Sequence, residues 1–495
     1  MFKTTTAPST PINVGENSTI DPSSRMENGH SSNETTSLLW SPQGVRKKQI
    51  VLEKNARRNI KVLCYGLIIF ELGMVLLYGV FNNETSGEIY SDDAQARTDL
   101  TVIYYRFTSV MVMILLGFAY NSVQSSDGAI SNIGFTLLLT TVVIQFAVLT
   151  NSFFQSCVDG IGGYTGSLSY DIYNLQDSSF AAFAIVISSS SFGSSLAPVQ
   201  MLIVALIQTI AYSILNKYLL SFLDLYDPGQ IYGVHLFSAT YALSFSWFIR
   251  SSRFKFDSIK EVDPSVVFLG TIFLYIFWPN FVSGHYTANS NQSQFGYVNT
   301  FTCITASTVT SFTAAFLIDN ETKISTYDIR NAIVSGGIAI GGIATLRIGS
   351  YIVIIIGILA SFISIATHTK LSPYLLREYH VFDASGVLGT HGMCGLFGSI
   401  VSVLVAAYKA SVDSTDVSEY GNSYASQWWR QLVAIFLVIG VSFFFGCVTG
   451  MVHNISVKLI NKEMEIDDDS IPENSKDGLY WLKLSETAKK LYHRD

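Results

Sequence analysis

Two histidines stand in the same short context in the two halves of the chain. Asp227 is followed after five residues by Gly233 and, one residue later, by His235; Asp383 is followed in the same way by Gly389 and His391. Each copy leads into a long apolar run. A neutral imidazole carries one donor and one acceptor, so two of them side by side can hand on a proton or bond a small polar molecule where water is scarce. If each Asp opens a helix, eight residues at 1.5 Å place each imidazole roughly 12 Å along it. That is near the middle of a bilayer.

The composition supports a bilayer as solvent. Of 495 residues, 49% are hydrophobic and only 14% charged, against about a quarter charged in soluble domains. Runs long enough to span occur at about 62–81, 104–121, 132–150, 180–196, 198–215, 231–249, 265–283, 297–318, 331–347, 350–368, 388–408 and 431–456. The fold class expected is an all-α polytopic membrane protein of about twelve transmembrane helices. Its organisation is a cytoplasmic tail over 1–59, a transmembrane domain over 60–456 and a second cytoplasmic tail over 457–495.

Lys and Arg set the orientation. Lys47, Lys48, Arg57, Arg58 and Lys61 precede the first span, and Arg250, Arg253, Lys255, Lys260, Lys323, Arg330, Lys370, Arg377, Lys458 and Lys462 fall in alternate connections. The opposite connections hold few, among them Arg97, Lys217, Arg347 and Lys409. Both termini are therefore expected inside. The glycosylation sequons at Asn83 and Asn291 then fall outside, which agrees with the charge rule without having been fitted to it.

The tails read differently. The first 45 residues lack the apolar core of a signal peptide and have the composition of a disordered segment, with Glu34 to Leu38-Leu39 in the pattern of an acidic dileucine sorting signal. The last carry Asp467-Asp468-Asp469 and an amphipathic stretch from Leu479 to Leu491. Four of the five cysteines, Cys64, Cys303, Cys394 and Cys447, lie in spans, so no disulfide framework is implied. The net charge of −7 comes partly from the tails and from connections such as Asp92-Asp93, and an acidic outer face concentrates cations.

Five spans separate the two motifs. That odd number makes their helices antiparallel, the signature of an inverted repeat relating spans two to six to spans seven to eleven. Spans one and twelve are additions. Asp227 and Asp383 are expected as helix caps, with Pro228 at a first helical position, and they lie off the His face. The plainer alternative is two unrelated interior histidines and two caps. Glu71 and Arg106 are expected to pair or snorkel, and His285, His368 and His453 to lie near span ends in reach of water.

On several stretches the chain resembles the Rh glycoproteins of the ammonium transporter superfamily, over about residues 60–456. These are Met111 to Phe118, Gly134 to Leu139 before Ile144-Gln-Phe-Ala, Trp278-Pro-Asn-Phe281, Ile333 to Gly341 and Gly389 to Gly395. The resemblance implies the ammonium transporter fold, a homotrimer, and one pore per subunit lined by twin histidines, His235 and His391. It implies an outer gate of Phe180 and Phe281, with Asp227 and Asp383 in support. Pro228 and Val282 depart from the family pattern of Ala and Asn, and Val282 removes a polar group from the mouth. The glycines Gly336, Gly337, Gly341 and Gly342 read as close helix approach in span nine.

The function expected is passage of ammonium as ammonia: recruitment at an acidic vestibule, loss of a proton near the gate, and passage along the imidazoles. Charge cost is the reason, since moving an ion through a dry pore is opposed by several kcal/mol. The resemblance implies electroneutral flux, whereas proton transfer along the pair would carry charge. Carbon dioxide is a further cargo the resemblance suggests. The other readings are a sensor or scaffold with little conduction, and an intramembrane metalloenzyme, against which stands the lack of a His-Glu-x-x-His segment. The chain is therefore not read as an enzyme; no metal, cofactor or nucleic acid is called for, and the partners are the bilayer and further copies of the chain. The plasma membrane is the expected location, an endosomal or vacuolar membrane the alternative.

Overall fold

A computed structural model describes residues 42–83, 94–123, 129–159, 168–169, 171–192, 196–249, 264–283, 290–319, 325–412 and 424–464. The chain divides into a unit of residues 1–54 and a unit from Asn55 to Asp495. Of the first, only residues 42–54 are described, as helix. The dileucine-like segment, Asp92-Asp93, His285 and the stretch from Asp467 to Leu491 lie outside the described residues.

Among the described residues, twelve helices match the twelve expected spans one for one. They are α1 (Pro42–Phe81), α2 (Ala94–Val112, continuing through a π-helical turn to Asn121), α3 (Ala129–Asp159), α4 (Ile172–Phe192) and α5 (Pro198–Ser213, then Ile214–Leu220). Then follow α6 (Ile231–Leu236, then Phe237–Ile249), α7 (Pro264–Ser283), α8 (Asn291–Asp319) and α9 (Thr326–Ile340). The last three are α10 (Ser350–Ala366, then Thr367–Leu371 and Ser372–Tyr379), α11 (Leu388–Met393, then Cys394–Val412) and α12 (Tyr424–Met464). The remaining regular structure described is a parallel pairing of Asn82–Asn83 with Leu168–Ser169.

The inverted repeat is visible in which helices touch. Within the first half α3 packs on α4 and α5, and α4 on α2 and α6; within the second α8 packs on α9 and α10, and α9 on α7 and α11. The first helices of the halves, α2 and α7, pack on each other, and so do the last, α6 and α11. Of the two additions, α12 lies against α6 and α11. On α1, the Tyr78 hydroxyl donates to the Gln145 carbonyl of α3, and Gln145 donates to Glu71. Glu71 is therefore partnered by α3 and not by Arg106.

Among the described residues, nine helices are long and apolar enough to cross a membrane by length and composition. The other three, α4, α6 and α9, are the most enclosed: every residue of α9 from Asp328 to Ile340 is buried. A helix surrounded by protein needs no all-round lipid surface, so it can carry Ser, Asn, Gln and His, each bonded to a neighbour. The peripheral helices show the reverse pattern. On α1, Ile69, Val75, Leu76 and Val80 are each 68–73% exposed, a surface that only hydrocarbon or another apolar face would suit.

Several boundaries differ from the expectation. α4 begins at Ile172, eight residues before Phe180, so Phe180 is two turns into its helix. α9 begins at Thr326, which takes Arg330 out of a connection and buries it, and it ends at Ile340, so Gly341 and Gly342 lie in a turn. α10 runs on to Tyr379, so Lys370 and Arg377 are helical. Lys217, expected in a connection, is on α5 and pairs with Asp177.

The turn after α9 and the turn before α6 meet at two glycines. The Gly229 amide donates to the Gly341 carbonyl at 3.1 Å, and a Cβ on Gly229 would overlap the Gly341 Cα. Backbone cannot yield as a side chain can. Gly229→Val is expected to destabilise by about 1–3 kcal/mol, as overpacking does, and to lower the melting temperature in detergent. Gly79→Ala, on α1 with nothing within 4 Å of the new methyl, is expected to leave it unchanged or slightly raised.

Candidate functional site

The repeated motif folds the same way twice. Asp227 accepts from the amides of Ile231 (2.7 Å), Tyr232 (3.0 Å) and Gly233 (3.2 Å), the free donors that open α6. Asp383 accepts from Val387 (2.9 Å) and Leu388 (2.8 Å) at the start of α11, and from the Ser191 hydroxyl (3.1 Å). Both carboxylates act as caps, but across an intervening turn. In the first copy Gln230 takes a left-handed conformation (φ 53°), in the second Gly386 does (φ 78°). The helices begin at Ile231 and Leu388, so Pro228 is not a first helical residue and each imidazole lies nearer 6 Å than 12 Å from the helix start.

Each helix opens in a π-helical turn, Ile231–Leu236 and Leu388–Met393, and that turn carries the histidine. Because α6 and α11 are antiparallel and packed together, the two rings meet. His235 Nδ1 and His391 Nδ1 are 3.1 Å apart, with ring centroids at 5.1 Å and planes 32° apart. One nitrogen must donate and the other accept. If both rings are neutral they therefore hold opposite tautomers: the donor ring turns a bare Nε2 outward and the acceptor ring an Nε2–H. His235 Nε2 is buried and has no hydrogen-bond partner among the described residues.

The rest of the pair's surroundings is aromatic. Trp278 stacks on His235 at 5.6 Å and 19°, Phe183 meets it edge-on at 5.8 Å, and Phe118 lies 5.6 Å from His391. Trp278 and Phe118 lie in stretches that carry the resemblance, but neither they nor Phe183 are among the expected site residues. A Phe in an apolar run looks like any other, so only the fold reveals them.

On one side of the pair Phe180 and Phe281 face each other edge-on at 5.6 Å, both buried. Phe281 is also 6.4 Å from His235. The structure thus brings together the two histidines and the two phenylalanines expected from sequence. Over the Phe pair lies Arg106, which is 1% exposed. Its guanidinium carbon is 4.7 Å from the Phe180 ring centre and 5.9 Å from that of Phe281. Its Nε donates to the Phe281 carbonyl at 3.0 Å and an Nη to the Pro228 carbonyl at 3.3 Å. With the Gln176 amide turned over, its oxygen accepts from the same guanidinium at 3.0 Å. Arg106 therefore neither snorkels nor pairs with Glu71; it ties α2, α4, α7 and the turn before α6 together at this end. Arg within an apolar run is expensive enough to have signalled a specific task.

On the other side a cavity of about 1020 Å³ opens among Tyr327, Asp328, Arg330, His368, Arg377 and Asp383. His368 is buried, not at a wet span end, because α10 continues past it through the π-helical turn Thr367–Leu371. His453 on α12 packs edge-on to Phe245, away from the pair. Of the sequons, Asn291 is the exposed first residue of α8 and Asn83 belongs to the short strand pairing.

The geometry defines a class: a polytopic membrane protein of two inverted five-helix halves, with a polar pair where their last helices meet, between an aromatic closure and a cavity. The chain belongs to the Ammonium Transporter Family, whose model matches residues 70–475. Its relatives place it on the Rh branch. It is 26% identical over 430 residues to ammonium transporter Rh type B of Danio rerio, covering 81% of this chain and 90% of that protein. To the Rh type B protein of Rattus norvegicus it is 28% identical over 449 residues, covering 87% and 94%. Among solved structures, Nitrosomonas europaea Rh50 matches with a TM-score of 0.62 at 22% identity, covering 73% of this chain and 89% of that one. Mep2 of Candida albicans matches with a TM-score of 0.58 at 19% identity, covering 79% and 88%. These two likenesses show the shared fold.

Arg106→Leu keeps much of the bulk but strips the donors from the Phe281 and Pro228 carbonyls. Stranding buried acceptors in this way costs about 1–3 kcal/mol. The melting temperature of the purified protein is expected to fall accordingly, and Arg106→Lys, which keeps a charge but not the fork, to restore only part of it. An unchanged melting temperature in Arg106→Leu would show that the arginine does not tie this end together.

Proposed function

We propose that the protein conducts ammonia across a membrane along the line from the Phe180–Phe281 pair, past His235 and His391, to the cavity beyond. The observation that carries this reading is the 3.1 Å contact between the two Nδ1 atoms at the crossing of α6 and α11. Two imidazoles in a dry aromatic setting with opposite tautomers offer a lone pair and an N–H in succession, which matches ammonia, itself both donor and acceptor. An ammonium ion in the same place would have to give up its water for aromatic walls, at a cost of several kcal/mol. It is therefore the neutral molecule that passes, the proton having been left at the mouth.

The names of the Rh relatives support ammonium as the external form of the cargo. The Lys and Arg distribution supports the Phe pair as the outer end, the cavity as the inner end and both termini inside. In this reading Asp227 and Asp383 hold the opening turns of α6 and α11 in place; their oxygens are occupied by backbone amides, which leaves them to fix the imidazoles and not to carry protons. The resemblance further supports a homotrimer with one path per subunit, in the plasma membrane. Asn291, exposed at the outer start of α8, is the stronger of the two candidate glycosylation sites.

The test is ammonium-driven pH change in sealed proteoliposomes. Native protein should alkalinise the lumen faster than empty vesicles. His235→Ala with His391→Ala should lower the protein-dependent rate by about tenfold or more, equivalent to about 1.4 kcal/mol of barrier. Equal rates for native protein and protein-free vesicles would sink the reading.

A further inference from the structure

Beyond His391, toward the cavity, stands a third histidine that the repeated motif does not account for. His368 projects from the π-helical turn of α10. Its Nε2 is 3.5 Å from the Thr390 hydroxyl, on the residue next to His391, and 3.4 Å from the Ser364 hydroxyl. The ring fills a slot that the second motif leaves open. A Cβ on Gly386 would overlap it, and one on Gly389 would come within 2.7 Å of Cε1 and 2.9 Å of Nε2. The same ring forms part of the wall of the 1020 Å³ cavity. His368 is thus a titratable group that touches both the start of the histidine-bearing helix and the cavity.

We infer that His368 is the proton-exchange residue of the cavity-side mouth, the group that takes a proton from ammonium before ammonia meets the His235–His391 pair from that side, or returns one to ammonia leaving it. The inference rests on the conduction reading above and deepens it. In the outward direction an N–H bond of ammonium breaks, the proton goes to a ring nitrogen of neutral His368, and ammonia moves on toward His391. The imidazolium then releases that proton to cavity water. Inward, the ammonia lone pair takes a proton from the imidazolium, which is reprotonated from the cavity. Every proton stays on the side where it began.

The surroundings suit that exchange. The Ser364 and Thr390 hydroxyls both donate and accept, so they can stay bonded to Nε2 in either charge state. From α9 the ring is faced by Tyr327, edge-on at 5.5 Å, with Arg330 stacked over Tyr327 at 4.7 Å and Asp328 beside them on the cavity wall. Arg330 donates to the Asn121 carbonyl of α2. From the turn before α11 comes Asp383, already engaged by two amides and Ser191. His391 lies beyond on α11. On α10 itself Lys370 and Arg377 are nearby in sequence, and Arg377 pairs with Glu378.

The experiment uses the full chain in proteoliposomes with pH set independently on the two sides, comparing native protein, His368→Gln, His368→Ala and the His235, His391 double variant. His368→Gln keeps a hydrogen-bonding side chain but cannot titrate. Both His368 variants should lower flux by about tenfold near neutral pH. They should also flatten its dependence on the pH of the cavity-side compartment, while the dependence on the opposite compartment is kept. Imidazoles of different basicity added on the cavity side should restore flux to His368→Ala in an order that follows their own pKa values. Folded variants with native rates and native pH profiles overturn the assignment. So does a loss that flattens both compartments alike and answers to no imidazole, which would mark a structural role. Native protein no faster than the double variant would remove the conduction reading itself and this inference with it, an outcome distinct from native conduction left intact by His368→Gln.

Discussion

A hydrogen bond between two buried imidazoles is the constraint around which the other features are arranged. Each ring alone would be a costly polar group at membrane depth. Together they satisfy one nitrogen each, and that requires Nδ1 to face Nδ1 at 3.1 Å from helices that run in opposite directions. The requirement reaches back to the capping aspartates. Asp227 and Asp383 gather the first amides of α6 and α11, and the π-helical turns that follow fix where His235 and His391 point. Remove the caps and the pair loses its registration before it loses its chemistry.

The repeated motif brings equal residues from the two halves, His235 and His391, face to face, so one motif makes a facing pair without further design. What lies on either side of that point is not symmetric. One end is closed by Phe180, Phe281 and the Arg106 guanidinium, whereas the other opens into a cavity lined by Tyr327, Asp328, Arg330 and His368. The two ends can therefore do different things with charge along the proposed path. The most enclosed helices are also the least apolar, because protein and not lipid surrounds them; α4, α6 and α9 trade hydropathy for the polar groups that hold the centre in register.

Much of this was legible in the sequence because the bilayer imposes a simple code. Twelve apolar runs became twelve helices, and the doubled Asp, Gly and His spacing located the pair, since periodic hydrophobicity and a repeated motif need no knowledge of neighbours. The resemblance carried Phe180 and Phe281, which no spacing rule could separate from ordinary packing. What failed did so at boundaries. α10 continues through a polar turn, so His368 looked like a span end when it lies inside; α9 starts five residues early, so Arg330 looked like a loop cation when it is buried. Arg106 was placed in the correct helix but given the default fate of a long basic side chain. Its partners, two backbone carbonyls and two ring faces, come from α4, α7 and the turn before α6, and nothing in the local sequence of α2 announces them.

In the proposed mechanism the molecule crossing the imidazole pair is neutral. The most direct measurement of it is membrane current recorded in the same proteoliposomes, at the same time, as ammonium-driven alkalinisation. Alkalinisation that depends on the protein is expected with no current that scales with it, at any holding potential, if protons are exchanged at the mouths and do not traverse the histidines. A current that rises in proportion to ammonia flux, near one charge per molecule, would contradict it and show that the imidazole pair passes the proton along with its cargo.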